Sequence, residues 1–564
     1  MKHRAPVLAI IAAAFIVYWP VYRYDFIRWD DMINIYQNKN YLPVTWEKLL
    51  SLWTAPFASF YIPVTSTVWA ILAWLTQQFV SPVATYPISP VLFHSANLVV
   101  HVLNSILVYA VLNLILQRHL ASTVTHHDLR LPSLLGALLF ALHPVQAEPV
   151  SWASGMRDLL CGFWSLFCLW QYLRFAESGR RVFYFASSVA FLLAVLSKPS
   201  AAVIPLVAAV LQLSLFAAPG RRVLLCLAPW VVTSAVIGYM TFAIQRTEFT
   251  YVVPLLSRPL IALDAYGFYI RKLVFPFLLC ATYPNQPAEV LKTHSYLLSL
   301  WVPFVVLAAL WFTKLRIKTV TVGILIFFIS LLPVSGLTSF ISQNQSTVFD
   351  RYLYLPMLGP AFVLAAFSES HWRSKRGIIT LAGLALLGLA SSFQTRVWAD
   401  TYSLFSHALR VNPENDTSHY NLWLYFKEKG LPSEAEQHRQ AAIHQQMEKA
   451  NTAVQSSDMS EAIVRYDSVL TLDPENVTAL TNSGIAHAIQ GQMDKAIGDF
   501  TQALTLRPDH LEALANLGNA YRLSGQPRKA IENYRKALAL EPELPHVRTA
   551  LEILEQEIAR KGGV

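Results

Sequence analysis

TLDPENVTALTNSGIAHAIQGQMDKAIGDFTQALTLRPDHLEAL, residues 471–514, opens and closes on one pattern, TLDPENVTAL at 471–480 and TLRPDHLEAL at 505–514. A third copy, ALEPELPHV, follows at 539–547, so that Pro474, Pro508 and Pro542 stand 34 residues apart. Small and aromatic positions keep the same step. Gly484 and Ala486 return as Gly518 and Ala520, and Tyr466, Phe500 and Tyr534 hold an aromatic on the second helix of each period. Such a helix pair buries its apolar face only by stacking on its neighbours.

This period and these positions are those of tetratricopeptide repeats. Toward the N-terminus a degenerate copy begins at VNPENDTSHYNL, residues 411–422, with Pro413 lying 61 residues before Pro474. One intervening repeat has therefore lost about a turn or two. A stack of this kind leaves a concave groove suited to an extended peptide, and a spacer or a dimerisation surface is the plainer use of it.

Before about residue 400 the character of the chain changes. Of the 564 residues 54% are hydrophobic and only 14% charged, the mean hydropathy is +0.39, and the apolar residues concentrate between about 5 and 393. That is far more apolar than a soluble protein, and much of the chain must sit in lipid. Runs long enough to cross about 30 Å of hydrocarbon fall near 5–22, 91–117, 132–148, 158–175, 182–197, 200–217, 222–244, 294–313, 319–336, 351–370 and 377–394. The expected fold class is all-α: a polytopic membrane domain of about eleven transmembrane helices over residues 1–395, then a soluble repeat solenoid over 396–564. The first run follows Lys2 and Arg4 without a small-residue cleavage site, and reads as a retained helix rather than a secretory signal.

The net charge of +9 does not point to nucleic acid, because the basic residues gather in short loops between apolar runs. With a cytoplasmic N-terminus, the loops holding Arg118 and Arg130, Arg180 and Arg181, Arg221 and Arg222, Lys314 to Lys318, and Arg373 to Arg376 all fall inside. This requires the segments near 62–80 and 259–280 to be interfacial or re-entrant. An odd number of crossings then sends the repeats to the periplasmic or lumenal side. Cys161, Cys168, Cys226 and Cys280 lack metal-ligand spacing and read as small buried hydrophobes.

On the same outer side converge the polar clusters that could carry chemistry. FIRWDDMINIYQNKN holds the adjacent carboxylates Asp30 and Asp31, one of which could deprotonate an acceptor hydroxyl while the other positions it or meets a metal. An Asp pair in a loop also serves as a solvated cap. HPVQAEPVSWASGMRDLLCG brings His143, Glu148, Arg157 and Asp158 to the outer ends of two helices, where an ion pair is the plain reading and a site the sharper one. LAVLSKPSAAVIP supplies Lys198, and VFDRYLYLPMLG supplies Asp350 and Arg351. Cations so placed would stabilise a lipid phosphate as leaving group, or merely anchor to headgroups. FHSANLVVHVLNSIL aligns His94, Asn97, His101 and Asn104 on one helix face, which favours interhelical hydrogen bonding over metal ligation. No Walker loop, dinucleotide-binding glycine pattern or zincin helix occurs.

Taken in order, the WDD segment, FHSANLVVHVLN, HPVQAEPVSW with RDLL, LSKPSA, DRYLYLP and the repeats after RVWADTYSLF resemble the transmembrane and tetratricopeptide repeat proteins of the C-type glycosyltransferase superfamily (GT-C). The resemblance spans nearly the whole chain. It implies an inverting transferase in which a Ser or Thr hydroxyl of a protein attacks a polyprenyl- or dolichyl-phosphate sugar, often mannose. By position it makes Asp30 or Asp31 the catalytic base and acceptor-orienting pair, marks Glu148 as the acid of the His-Pro motif, and assigns Lys198 and Arg351 to the phosphate. His143, Arg157, Asp158 and Asp350 join them as substrate-binding candidates. One departure stands out: Met156 separates Gly155 from Arg157 where related sequences have Gly-Arg, and one step turns a helical side chain by about 100°.

The expected partners are a lipid-linked sugar donor, a protein or peptide acceptor held by the repeats, and membrane lipids, with no nucleic acid. No redox cofactor is required, and the resemblance leaves a divalent cation open. The rival readings are a non-catalytic membrane scaffold that recruits partners through its repeats, and an O-oligosaccharide ligase that moves a preassembled glycan. The expected location is a bacterial inner membrane, with an endoplasmic reticulum membrane as the alternative.

Overall fold

The structure is a computed structural model and describes residues 4–57, 59–79, 87–119, 129–216, 219–246, 253–312, 317–368 and 375–561. Lys2, Lys314, Arg316 and Arg373, counted above among the basic flanks, lie outside the described residues, as do residues 247–252. Among the described residues every regular element is helical. The chain divides into two compact units, residues 1–413 and 414–564. The first therefore takes in the helix Thr401–Val411, whose Leu404, Phe405 and Ala408 are buried.

Among the described residues of the first unit six helices are long and apolar enough to cross a membrane: Arg4–Arg23, Pro90–Arg118, Ala153–Ser178, Pro199–Phe216, Gly220–Gln245 and Lys375–Arg396. Pro287–Thr293 and Ser295–Trp311, bent by 86° at their break, make a seventh if they are one span. Four shorter apolar helices, Arg130–Leu142, Arg181–Ser197, Lys318–Val334 and Leu358–Ser368, occupy the other apolar runs. The unit is an integral membrane domain.

Proline ends two of the short helices. The residue before a proline is driven out of the α region by the ring, and His143 before Pro144 and Lys198 before Pro199 both adopt extended backbone. Arg130–Leu142 has 13 residues, a rise of about 20 Å against about 30 Å of hydrocarbon. These breaks place His143 and Lys198, two of the candidate site residues, at helix ends.

The polar stripe of Pro90–His119 ties the bundle together. Asn97 donates to the Trp152 carbonyl at 2.6 Å, His101 contacts the Tyr354 hydroxyl at 2.9 Å and the Ala141 carbonyl at 3.1 Å, and Asn104 donates to the Leu159 carbonyl at 2.9 Å. Polar side chains in a membrane bundle that find carbonyls on neighbouring helices act as packing contacts.

The second unit is a stack of helices from Asp416–Glu428 to Pro545–Lys561. Asn415, Asp458, Asn476 and His510 each accept a backbone N–H at the start of a helix, which satisfies donors the helix itself leaves open. Gly484 and Gly518 make room for the next helix. A Cβ at either would overlap the Phe500 ring or the Tyr534 ring, and both rings are buried. The degenerate repeat is explained by Pro432–Gln455, one continuous helix of 24 residues. Where a full repeat would break for a turn, the chain runs straight on, and 61 residues is seven short of two periods of 34.

Candidate active site

The two aspartates of the first loop are neighbours in sequence and opposites in setting. Asp31 is fully buried. Its Oδ1 accepts from the Ser154 N–H at 2.9 Å and the Ser154 hydroxyl at 2.5 Å, and its Oδ2 from the Ile27 N–H at 2.9 Å. Burial pushes its carboxyl up to about 7 against the pull of those donors, with the neighbouring Asp30 adding a smaller push. Ser154 reaches it because the turn doubles back at Gly155, where a Cβ would overlap the Pro149 carbonyl. Asp30 keeps 31% of its side chain exposed and pairs with Arg157 at 3.1 Å.

From Arg157 the charges alternate. Its Nε lies 3.9 Å from Asp158, and Asp158 pairs with Lys198 at 2.5 Å. Arg351 pairs with Glu148 through its guanidinium and also donates its backbone N–H to the Glu148 Oε2 at 2.8 Å. Both of these side chains are nearly enclosed, at 5% and 1% exposure. Each of these five buried or half-buried charges thus has an opposite partner, without which it would carry a desolvation cost of several kcal/mol.

Two aromatic rings join the pairs into one cluster. The Trp152 indole has the Arg157 guanidinium at 5.1 Å and that of Arg351 at 5.3 Å. The Tyr352 ring has Lys198 at 4.8 Å and Arg351 at 5.3 Å. Cations are attracted to such ring faces, so Arg157, Arg351 and Lys198 are linked in that order through two rings. Trp29 stacks on Trp152 at 5.6 Å and Trp398 packs beside it at 5.7 Å, which fixes the indole.

His143 and Asp350 face elsewhere. His143 contacts the Leu273 carbonyl at 3.0 Å and caps the turn at Val145. Asp350 accepts from the Tyr283 hydroxyl at 2.9 Å and the Cys280 N–H at 3.2 Å. Burial, and then the Glu148 charge, push it up to about 8. The cluster therefore brings together Asp30, Glu148, Arg157, Asp158, Lys198 and Arg351, with Asp31 holding the loop that presents Asp30.

Ser154, Trp152 and Tyr352 contact the candidate residues, and sequence reasoning misses them. All three stand inside motifs picked for their charges, VSWASGMRD and DRYLYLP, but an aromatic in an apolar run gives no sign that it holds cations. Among the described residues no three His, Cys, Asp or Glu side chains are grouped to hold a metal ion, and the carboxylates of the cluster are engaged by Arg and Lys. Chemically, three cations beside a part-exposed carboxylate suit an anionic group next to a hydroxyl that is to be deprotonated.

The Tetratricopeptide repeat family matches residues 475–542. Protein O-mannosyl-transferase TMTC4 of Homo sapiens is 27% identical over 498 residues, which is 75% of this chain and 64% of that protein. Protein O-mannosyl-transferase TMTC1 of Homo sapiens is 30% identical over 139 residues, 23% of this chain and 15% of that protein. The chain spans less than two-thirds of the length of either relative. Among solved structures, an Arabidopsis OM64 TPR domain is 24% identical, with a TM-score of 0.21, covering 21% of this chain and 98% of that one.

Proposed function

From its similarity to the TMTC protein O-mannosyl-transferases we propose that this chain is an inverting GT-C glycosyltransferase, moving mannose from a polyprenyl-phosphate donor to Ser or Thr of a protein. The observation that carries the reading is the cluster of Arg157, Lys198 and Arg351 about Trp152 and Tyr352, with the part-exposed Asp30 beside it. The acceptor oxygen forms a bond to the anomeric carbon, the bond from that carbon to the phosphate oxygen breaks, and polyprenyl phosphate leaves. Asp30 takes the hydroxyl proton, a role open to it because Asp31 is enclosed by Ser154 and Ile27. Lys198 and Arg351 stabilise the departing phosphate, with Arg157 next to them. Glu148 and Asp158 hold these cations in place while the site is empty, and His143 and Asp350 brace the adjoining turns.

In this reading all eleven apolar segments cross or enter the membrane, the N-terminus is cytoplasmic, and the site and repeats face the periplasm or the endoplasmic reticulum lumen. The repeats bind the acceptor and raise its concentration at the site. The test is transfer from synthetic polyprenyl-phosphate mannose to protein by the purified full chain, with the anomeric configuration of the product determined. Label in protein with inverted configuration supports the reading. Retained configuration, or transfer of an oligosaccharide block in place of one sugar, overturns it.

A further inference from the structure

The buried tyrosines of the first unit mostly have partners for their hydroxyls. Tyr354 meets His101 and Asn104 at 2.9 Å, Tyr283 donates to Asp350, and Tyr41 donates to the Asn34 carbonyl at 2.7 Å. Tyr352 differs. Its side chain is largely buried, at 8% exposure, with its ring against Phe349 at 5.3 Å and Phe340 at 6.1 Å. Yet its hydroxyl is not enclosed, and among the described residues it makes no hydrogen bond. Both cations proposed for the phosphate also lie against its ring, Lys198 at 4.8 Å and Arg351 at 5.3 Å. A buried phenol with two cations at its ring and its O–H unused and open offers an anion a third donor at little cost in ordering.

We propose that Tyr352 is a phosphate-binding residue, donating its O–H to an oxygen of the lipid-linked phosphate that Lys198 and Arg351 hold. This deepens the function proposed above and rests on it for the identity of the ligand. Phosphate oxygens accept charge-assisted hydrogen bonds, so losing one donor weakens binding by about tenfold or more.

The test measures binding by the full chain in detergent, with matched melting temperatures, of three probes: a short-chain polyprenyl monophosphate, the uncharged polyprenol and inorganic phosphate. Tyr352→Phe removes the O–H and keeps the ring, and Tyr352→Leu removes both. The expected result is binding of the polyprenyl monophosphate about tenfold weaker in Tyr352→Phe and weaker again in Tyr352→Leu, with polyprenol binding unchanged. Wild-type and Tyr352→Phe chains that bind the polyprenyl monophosphate equally overturn the role of Tyr352 and leave the proposed donor standing. A wild-type chain that binds inorganic phosphate but not the lipid overturns the lipid-linked donor, and the same variants then decide Tyr352 with phosphate itself. Binding of neither anion overturns both.

Discussion

Arg351→Met strips Glu148 of its guanidinium partner in a place where neither side chain exceeds 5% exposure. Breaking a buried ion pair from one side costs about 3–5 kcal/mol, because the other charge stays behind unpaired. Glu148→Gln, from the other side, leaves Arg351 buried without its carboxylate and should cost a similar amount. The double substitution removes both charges, and the amide oxygen brought in by Glu148→Gln can still accept the backbone N–H of residue 351, now taken by Glu148 Oε2 at 2.8 Å. What it loses is mainly the cation–ring contacts of Arg351 with Trp152, Phe349 and Tyr352, about 1–2 kcal/mol together. The cycle should therefore show a coupling of about 4 kcal/mol or more between the two sites. Thermal unfolding of the four full-length proteins in one detergent measures it, each single variant melting several degrees below the double. Additive losses, with the double variant the least stable, would refute the claim that these residues neutralise one another in the folded protein.

Stability should also depend on pH through Asp31. Its folded value of about 7 lies above the ordinary carboxylate value of about 3.9. Its contribution is thus fully present below about pH 4 and is lost as pH rises through about 7, by up to roughly 4 kcal/mol. Asp31→Asn should be less stable at low pH, for want of a second acceptor, but flatter across this range in a thermal-melt series; an equally steep profile would contradict the assignment. Gly518→Ala should cost about 1–3 kcal/mol, since its Cβ would overlap the Tyr534 ring, and limited proteolysis should then cut the last repeats first. Gly155→Ala should displace Ser154 from Asp31 and abolish transfer while the repeats stay folded, as read by proteolysis of the second unit. A small membrane-permeant maleimide should label Cys226, the half-buried cysteine, before the buried Cys161, Cys168 and Cys280.

The repeats are legible because a strict 34-residue step leaves its mark on proline, glycine and aromatic positions alike. Pro432–Gln455 is not, since the residues lost there are the ones that would have marked the turn. The apolar runs give the helical segments of the first unit, but not their lengths. Pro144 and Pro199 end two of them early, and among the described residues six or seven helices reach crossing length. At the site, the cost of ionisable groups near a membrane picks out the charges. Their pairing cannot be read from the sequence. Asp30 and Asp31 look alike there, and only the fold of Ala153–Gly155 over Asp31 separates an enclosed carboxyl from an open one. Arg157, set one place beyond Gly155 by Met156, pairs with Asp30. Trp152 and Tyr352 carry no charge to draw attention, and their part becomes visible only from the cations placed over their rings.

The role of Asp30 as the base is tested most directly by transfer of radiolabelled mannose from polyprenyl-phosphate mannose to protein by the wild-type full chain beside Asp30→Asn at matched expression and melting temperature. Label should enter protein with the wild type and fall by about a hundredfold or more in Asp30→Asn. Undiminished transfer by Asp30→Asn would contradict that role.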